Sequence, residues 1–174
     1  MMRIGTIAIL SAAVASTGCD SGPSAAEEMA DFDGATVVAI ERAVEVGRTE
    51  VPGAVPVKVK LKVKKDPPEY KIVMANNGIE VDVEIDAETA EILEVVDDGD
   101  IDVFDPAAYI SLEDALVIAR AEVPAGLPVE AEIEIDDGVV EEIEVVIFAK
   151  AEGHFVEVEL DPVTGDVLEV EIED

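Results

Sequence analysis

The sequence contains one cysteine, Cys19, and one histidine, His154. A single thiol cannot close an intramolecular disulfide, and neither a zinc knuckle nor a disulfide scaffold can be built around it. A single imidazole leaves no His-based metal cluster and no setting for a Ser-His-Asp triad, while Cys19 sits in an N-terminal apolar segment, away from any Cys-His dyad. Tryptophan is absent and aromatics make up 3% of the chain, so a core has to be assembled from Val, Ile, Leu and Ala. Basic residues are scarce: Lys+Arg number 11 against 42 Asp+Glu, a formal net charge of -31. Such a charge repels phosphate backbones and anionic lipid headgroups, which excludes nucleic acid as a partner class. No P-loop, Rossmann fingerprint, GxSxG or HExxH occurs. Carboxylate pairs are abundant, but without an aromatic-rich pocket or a placed histidine they carry no catalytic reading. The chain is expected not to be an enzyme and to need no cofactor.

What is present begins with an address. Residues 1–19 read MMRIGTIAILSAAVASTGC. Arg3 supplies a short positive start, and Ile4 to Ser16 is an apolar stretch of roughly a dozen residues, too short for a bilayer but right for a secretory signal. The ending Ser16-Thr17-Gly18-Cys19 resembles the bacterial lipobox, with Ser16 where an aliphatic residue is usual. The resemblance implies cleavage after residue 18 and lipidation of Cys19, whose acyl chains anchor the protein at about 0.8 kcal/mol per buried CH₂. The expected location is the cell envelope: the periplasmic face of the inner or outer membrane, or the cell surface. Residues 19–33 are rich in Ser, Ala, Gly and acid and read as a flexible acidic tether.

Beyond the tether the chain repeats itself. Ile40-Glu41-Arg42-Ala43-Val44 matches Leu112-Glu113-Asp114-Ala115-Leu116, and Arg48-Thr49-Glu50-Val51-Pro52 matches Arg120-Ala121-Glu122-Val123-Pro124, both at a spacing of 72 residues. Val81–Asp86 matches Val156–Asp161, and Leu93-Glu94-Val95 matches Leu168-Glu169-Val170, at 75. The second copy has therefore gained three residues, placed near its first hairpin. Each copy opens with a helix. In the first, Val37, Ile40, Val44 and Val51 fall at helical spacing; in the second, Leu112, Ala115, Leu116 and Ala119 do, behind a capping box of Ser111 and Asp114. Pro52 and Pro124 stop these helices.

Four strands follow in each copy: roughly Val57–Lys65, Glu69–Ala75, Ile79–Asp86 and Glu91–Val96, then Val129–Asp136, Val140–Ala149, Phe155–Asp161 and Asp166–Ile172. Strict alternation, as in Val57-Lys58-Val59-Lys60-Leu61-Lys62-Val63, gives each strand one apolar and one polar face. Asn76-Asn77-Gly78 and Asp136-Asp137-Gly138 read as hairpin turns, because Asn, Asp and Gly tolerate positive φ. Gly165 reads as left-handed in the turn Asp161–Asp166. Ala90 replaces it in the first copy, which predicts a strained or differently closed turn. His154 is expected in an exposed turn. The fold class is α+β: two tandem modules, each one helix followed by an antiparallel sheet of three to four strands. The divisions are a signal peptide 1–18, the tether 19–33, a first module 34–97, a linker 98–108 with Val103 and Phe104 as buried anchors, and a second module 109–174. A module of about 65 residues buries only about 60% of its unfolded surface, so packing the two together would help both.

The strand–turn–strand Glu80–Val96 and its partner Phe155–Ile172 resemble the end of a PepSY domain, with an alternating Val/Glu strand, an Asp-x-x-Thr-Gly turn and a second alternating strand. A helix ending near Val-Pro-Gly, as at Val51-Pro52-Gly53, also fits, while Ala90 and Ala125 depart from the glycine pattern. The resemblance implies a non-catalytic exported binding module that restrains or regulates a secreted peptidase.

Charge divides the copies. In the second, Glu130, Glu132, Glu134, Glu142, Glu144, Glu157, Glu159, Glu169 and Glu171 fall on the polar side of the strands. The first seven are the candidate partner-binding residues, for a basic protein surface or divalent cations. The competing reading is a solvated face suited to salty surroundings. Asp97–Asp102 lacks the ligand spacing and closing Glu of an EF-hand and reads as acidic linker. In the first copy Lys58, Lys60, Lys62 and Lys64 relieve the repulsion. Two arrangements fit them: the first strands of the two copies lie side by side in a Lys/Glu ladder, or the lysines pair with Glu80, Asp82 and Glu84 of their own sheet. Function classes beyond the peptidase-restraining module are a cation-binding or buffering surface lipoprotein and a structural envelope protein.

Overall fold

A computed structural model describes residues 25–173. Cys19 and the signal segment lie outside the described residues. The elements run α1 (Ala25–Asp31), α2 (Ile40–Glu50), β1 (Val55–Lys62), β2 (Glu69–Asn76), β3 (Ile79–Asp86), β4 (Ile92–Asp100), a short 3₁₀ turn (Pro106–Ala108), α3 (Leu112–Glu122), β5 (Leu127–Asp136), β6 (Val139–Ala149), β7 (His154–Leu160) and β8 (Val167–Glu173). Mixed α+β architecture is as the sequence predicts. The two expected sheets, however, are one: eight antiparallel strands in the order β4-β3-β2-β1-β5-β6-β7-β8.

The join is the pairing of β1 with β5, where Lys58, Val59 and Lys60 face Glu132, Ala131 and Glu130. Val59 and Ala131 are equivalent positions of the repeat, so a pseudo-twofold axis passes between them. Merging the sheets removes two edge strands and lets two small modules share one core. That core is mostly aliphatic: Ile40, Val44, Ile72, Met74, Val83 and Ile85 from the first copy meet Leu112, Leu116, Ile143, Val145, Ile147 and Leu160 from the second. Its two largest fully buried side chains are nonetheless aromatic, Tyr70 and Phe148, one from each copy, which the expectation of a core of Val, Ile, Leu and Ala alone missed.

Helices α2 and α3 cover the apolar face of the sheet. α2 buries Ile40, Ala43, Val44 and Gly47, at the spacing of one helical stripe. Gly47 sets how closely α2 approaches: a Cβ there would lie 3.2 Å from Ile72 Cδ1 and 3.5 Å from Met74 Sδ. Val37 and Val51 flank α2 rather than belong to it. α3 buries Leu112, Ala115, Leu116 and Ala119, and the Ser111 hydroxyl caps it by accepting from the Asp114 N–H at 3.1 Å.

Several expectations need correction. Residues 25–31 of the expected tether form a helix whose Met29 is buried, with Glu28 paired to Lys64 at 2.9 Å. Met29 supplies the apolar anchor that a Ser/Ala/acid reading overlooks. β1 stops at Lys62, ahead of the Asp66-Pro67-Pro68 loop, since proline cannot donate to a ladder. β4 continues past Val96 to Asp100. Val103 is 71% exposed, and of the two expected linker anchors only Phe104 packs against the core. His154 is the first residue of β7, paired with Ala149. The three added residues are also distributed differently. The repeat offset steps from 72 at Val59 and Ala131 to 73 at Ile72 and Val145, then 75 at Val83 and Val158. One addition falls in the first hairpin and two in the second.

The turns follow the sequence reading. Asn77 and Gly78 lie at φ 52° and 86°, Asp137 and Gly138 at 49° and 79°, the paired positive values that a two-residue hairpin requires. The two Asp-x-x-Thr turns are built alike. Asp86 Oδ1 accepts from the N–H groups of Glu88 and Thr89 at 2.8 and 2.9 Å, and Asp161 Oδ1 from those of Val163 and Thr164 at 2.9 and 2.7 Å. Ala90 holds φ 62° where Gly165 holds 73°, and each donates to the carbonyl of the turn aspartate at 2.9 Å. The first turn is therefore closed the same way, with strain.

Candidate interaction surface

Alternation along three strands, fixed by register, brings all seven candidate glutamates onto one face of the sheet. Glu132 lies opposite Glu144, Glu134 opposite Glu142, and Glu144 opposite Glu159; Glu130 and Glu157 both flank Val146. β8 extends the array, with Glu171 opposite Glu157 and Glu169 opposite Glu159. The seven do not share one environment. Glu130 and Glu132 belong to the seam. Lys58 Nζ pairs with Glu132 and lies 3.1 Å from Glu130, and Lys60 Nζ lies 2.6 Å from Glu130. Burial opposes the charge on Lys58, but its hydrogen bonds to Glu132 and Glu130 prevail and hold the ammonium above the usual lysine range.

Away from the seam the carboxylates crowd one another. A shared hydrogen bond with Glu134 raises Glu142 above the ordinary glutamate range. Burial, reinforced by Glu130 and Glu132, raises Glu144. Burial, with Glu144 and Glu173 beside it, pushes Glu157 up to about 7. Glu171 raises Glu169. Like charges placed directly opposite across strands are destabilising, so this face stores repulsion that a cationic partner or a proton would relieve.

Both arrangements considered for the lysine strand are realised, in different places. Lys58 and Lys60 form the inter-copy ladder, whereas Lys62 pairs with Glu84 of its own copy at 2.8 Å, as does Lys71 of β2 with Asp82 at 2.6 Å. The duplication makes the ladder possible. Around a pseudo-twofold axis, equivalent positions of the copies meet; identical copies would set lysine against lysine or glutamate against glutamate. Divergence of Lys58 and Lys60 from Glu130 and Glu132 turns that clash into attraction.

One set of contacts escaped the sequence reading. Arg48 Nε lies 2.7 Å from Glu113 Oε1, and Arg120 Nε lies 2.8 Å from Glu41 Oε1. Arg48 and Arg120 are repeat equivalents, as are Glu41 and Glu113, so the two ion pairs are a reciprocal exchange between α2 and α3. The signal was present in the repeat, since each helix carries a glutamate in its first turn and an arginine in its last. Nothing local indicated that the partner lay in the other copy.

Two clefts flank the seam. One, of about 550 Å³, lies between Arg48, Val55, Phe104, Tyr109 and Leu112. The other, of about 700 Å³, opens where β1 and β5 diverge beneath α1, lined by Met29, Lys60, Lys62, Glu144, Phe155 and Glu157. Outside the glutamate array, carboxylate oxygens of Glu80, Asp82 and Asp98 lie within 4.8 Å of one another. Among the described residues no helix is long and apolar enough to cross a membrane.

No curated protein sequence matches the chain. Among solved structures, a candidate lipoprotein from Clostridium difficile 630 aligns over 83% of this chain and 98% of its own, with 20% identity and a TM-score of 0.48. The YpeB C-terminal domain of Bacillus megaterium aligns over 79% of this chain and 99% of its own, with 14% identity and a TM-score of 0.32. The family model for PepSY, the peptidase propeptide and YPEB domain, matches residues 37–96 and again 109–171, one match for each repeat. The chain therefore belongs to the PepSY family and carries the domain twice.

Proposed function

We propose that this chain is an exported, lipid-anchored, non-catalytic binding module that restrains a secreted peptidase by presenting its acidic sheet face to a basic surface on that partner. The observation that carries the reading is the glutamate array from β5 to β8. The sheet fixes its spacing, both large helices are on the opposite face, and Glu142, Glu144, Glu157 and Glu169 are all raised by crowding or burial. A rigid surface that gains stability from incoming positive charge is suited to holding a protein partner, and complementary charge also speeds encounter. The family description, peptidase propeptide, is the reason for choosing a peptidase as the partner class. Glu134, Glu142, Glu144, Glu157 and Glu159 would form the contact, with Glu130 and Glu132 holding the seam behind it. Cys19 would carry the lipid that keeps the module at the envelope.

Titration of the purified chain into assays of secreted metallopeptidases tests this reading. Inhibition that is lost on joint Glu142→Lys and Glu157→Lys substitution is expected; peptidases that are indifferent to the unaltered chain would count against it. A second reading, divalent cation binding, is favoured by the Glu80, Asp82 and Asp98 cluster. Lys71 already supplies positive charge there at 2.6 Å from Asp82, which places this reading second. Calorimetric titration with Ca²⁺ at low ionic strength decides it, and silence eliminates it.

A further inference from the structure

The merged sheet still has two open edges, β4 and β8, and they differ. β4 is interrupted by register shifts near both ends, between Glu80/Val81 and Glu84/Ile85 of its neighbour, and holds Gly99 at φ 128°. β8 has one register shift, at its start, between Glu159/Leu160 of its neighbour, and from there runs in unbroken register from Glu169 to Glu173 against Glu159 to Phe155. On one side of β8 stand Glu169, Glu171 and Glu173. On the other, Val170 and Ile172 are 47% and 65% exposed, beside the buried Val158 and Val156, and Leu168, 59% exposed, stands at the shift. A regular edge with a row of bare aliphatics is an invitation to another strand.

The charges decide which strand can accept it. A second copy of this chain would bring β8 or β4, and either sets carboxylates opposite Glu169, Glu171 and Glu173, which is destabilising. A strand alternating Lys or Arg with Val, Ile or Leu meets the opposite conditions, and the molecule contains a worked instance of it. At the seam, Lys58-Val59-Lys60 lies antiparallel to Glu130-Ala131-Glu132, with basic groups on the acidic side and aliphatics on the core side. β8 offers the same Glu-x-Glu frame one edge further out.

We propose that the open edge of β8 takes up a partner's basic-alternating segment as a ninth strand, with its Lys or Arg side chains over Glu169, Glu171 and Glu173 and its aliphatic side chains beside Leu168, Val170 and Ile172. This rests on the reading of the chain as a protein-binding module and narrows it to a mode, strand addition, in which backbone hydrogen bonds supply affinity and alternating side chains supply selectivity. The acidic side chains then act as a filter: they keep the edge from pairing with itself while admitting a basic strand.

The test uses the full chain and a synthetic amidated peptide, Val-Lys-Val-Lys-Leu-Lys-Val, the chain's own residues 57–63. Amide hydrogen exchange resolved by NMR is followed at low salt. The expected result is that alternate amides between Val167 and Glu173, those pointing outward, slow by about tenfold or more. A peptide of the same composition with its lysines grouped should not produce the pattern. The E169K/E171K/E173K variant should weaken binding roughly tenfold or more. That variant faces Glu157 and Glu159 with lysines and is expected to fold at least as well as the parent. The proposal is overturned by absence of binding, by equal binding of the grouped-lysine peptide, or by protection confined to β5–β7. Peptidase inhibition that persists unchanged in the triple variant would likewise remove the edge while leaving the protein-binding reading intact, whereas absence of inhibition by the parent chain removes that reading itself.

Discussion

Lys58 ties the two copies together at the seam. Its ammonium sits between Glu130 and Glu132, with its side chain 30% exposed and that of Glu130 16% exposed. A fully exposed pair contributes little, on the order of 0–1 kcal/mol, because water screens it and the side chains lose entropy. Here partial burial raises the stake, and charge reversal brings a third carboxylate to a crowded spot. Lys58→Glu is expected to lower stability by roughly 2 kcal/mol, measured by urea denaturation. The exchanged double variant Lys58→Glu with Glu132→Lys should recover most of that loss. If the double variant is as unstable as the sum of the two single ones, the ladder makes no energetic contribution and shape alone holds the seam.

At the scale of elements, the second copy is the better-built one, and its local devices can be moved into the first. Ser111 caps α3, whereas its repeat equivalent Ala39 leaves α2 without a side-chain cap, although Ala39 has the extended backbone that a cap residue needs, φ -60° and ψ 142°. Ala39→Ser is therefore expected to raise stability by about 1 kcal/mol. Ala90 bears the left-handed strain that Gly165 avoids, and Ala90→Gly should gain on the order of 1 kcal/mol, less the entropy glycine adds to the unfolded chain. Thermal unfolding checks both; a loss of stability in either variant would mean the two copies are not equivalent at that point. The same local features were the ones legible in sequence. Alternation identified every strand, Asn77-Gly78 and Asp137-Gly138 identified their hairpins, and Ser111 identified its helix start, because each is set by neighbours within a few residues. The β1–β5 seam was visible only as one of two options, since Lys58 could be satisfied from either side. The reciprocal Arg48–Glu113 and Arg120–Glu41 pairs, and the docking of α1 through Met29, depend on how distant segments meet, and no local pattern encodes that.

The crowded glutamate face sets the whole molecule's response to pH. Glu142, Glu144, Glu157 and Glu169 are raised above the ordinary value of 4.5, Glu157 to about 7, as is Glu80 through burial and the nearby Asp82 and Asp98. A raised carboxyl keeps its proton in the folded state at a pH where the unfolded chain has released it. Between about 4.5 and 7 the folded state therefore holds more protons, and by linkage stability falls as pH rises through that window. Glu84, Asp86 and Asp161 act in the opposite sense. Lysine contact in the first case, and turn N–H groups in the other two, hold them below the usual range, and their contribution is lost as pH falls toward and below 4. The two trends leave a stability maximum near pH 5, on the acid side of neutrality. A melting temperature lower by roughly 5 °C at pH 8 than at pH 5.5 is expected in dilute buffer. Glu157→Gln should shrink the difference, because an amide cannot ionise. Added salt near 1 M should shrink it as well, since screening then acts within about 3 Å. A melting temperature that climbs steadily from pH 5.5 to 8 would show that the crowded face carries no net repulsion, and would remove the physical reason for a cationic partner to settle there.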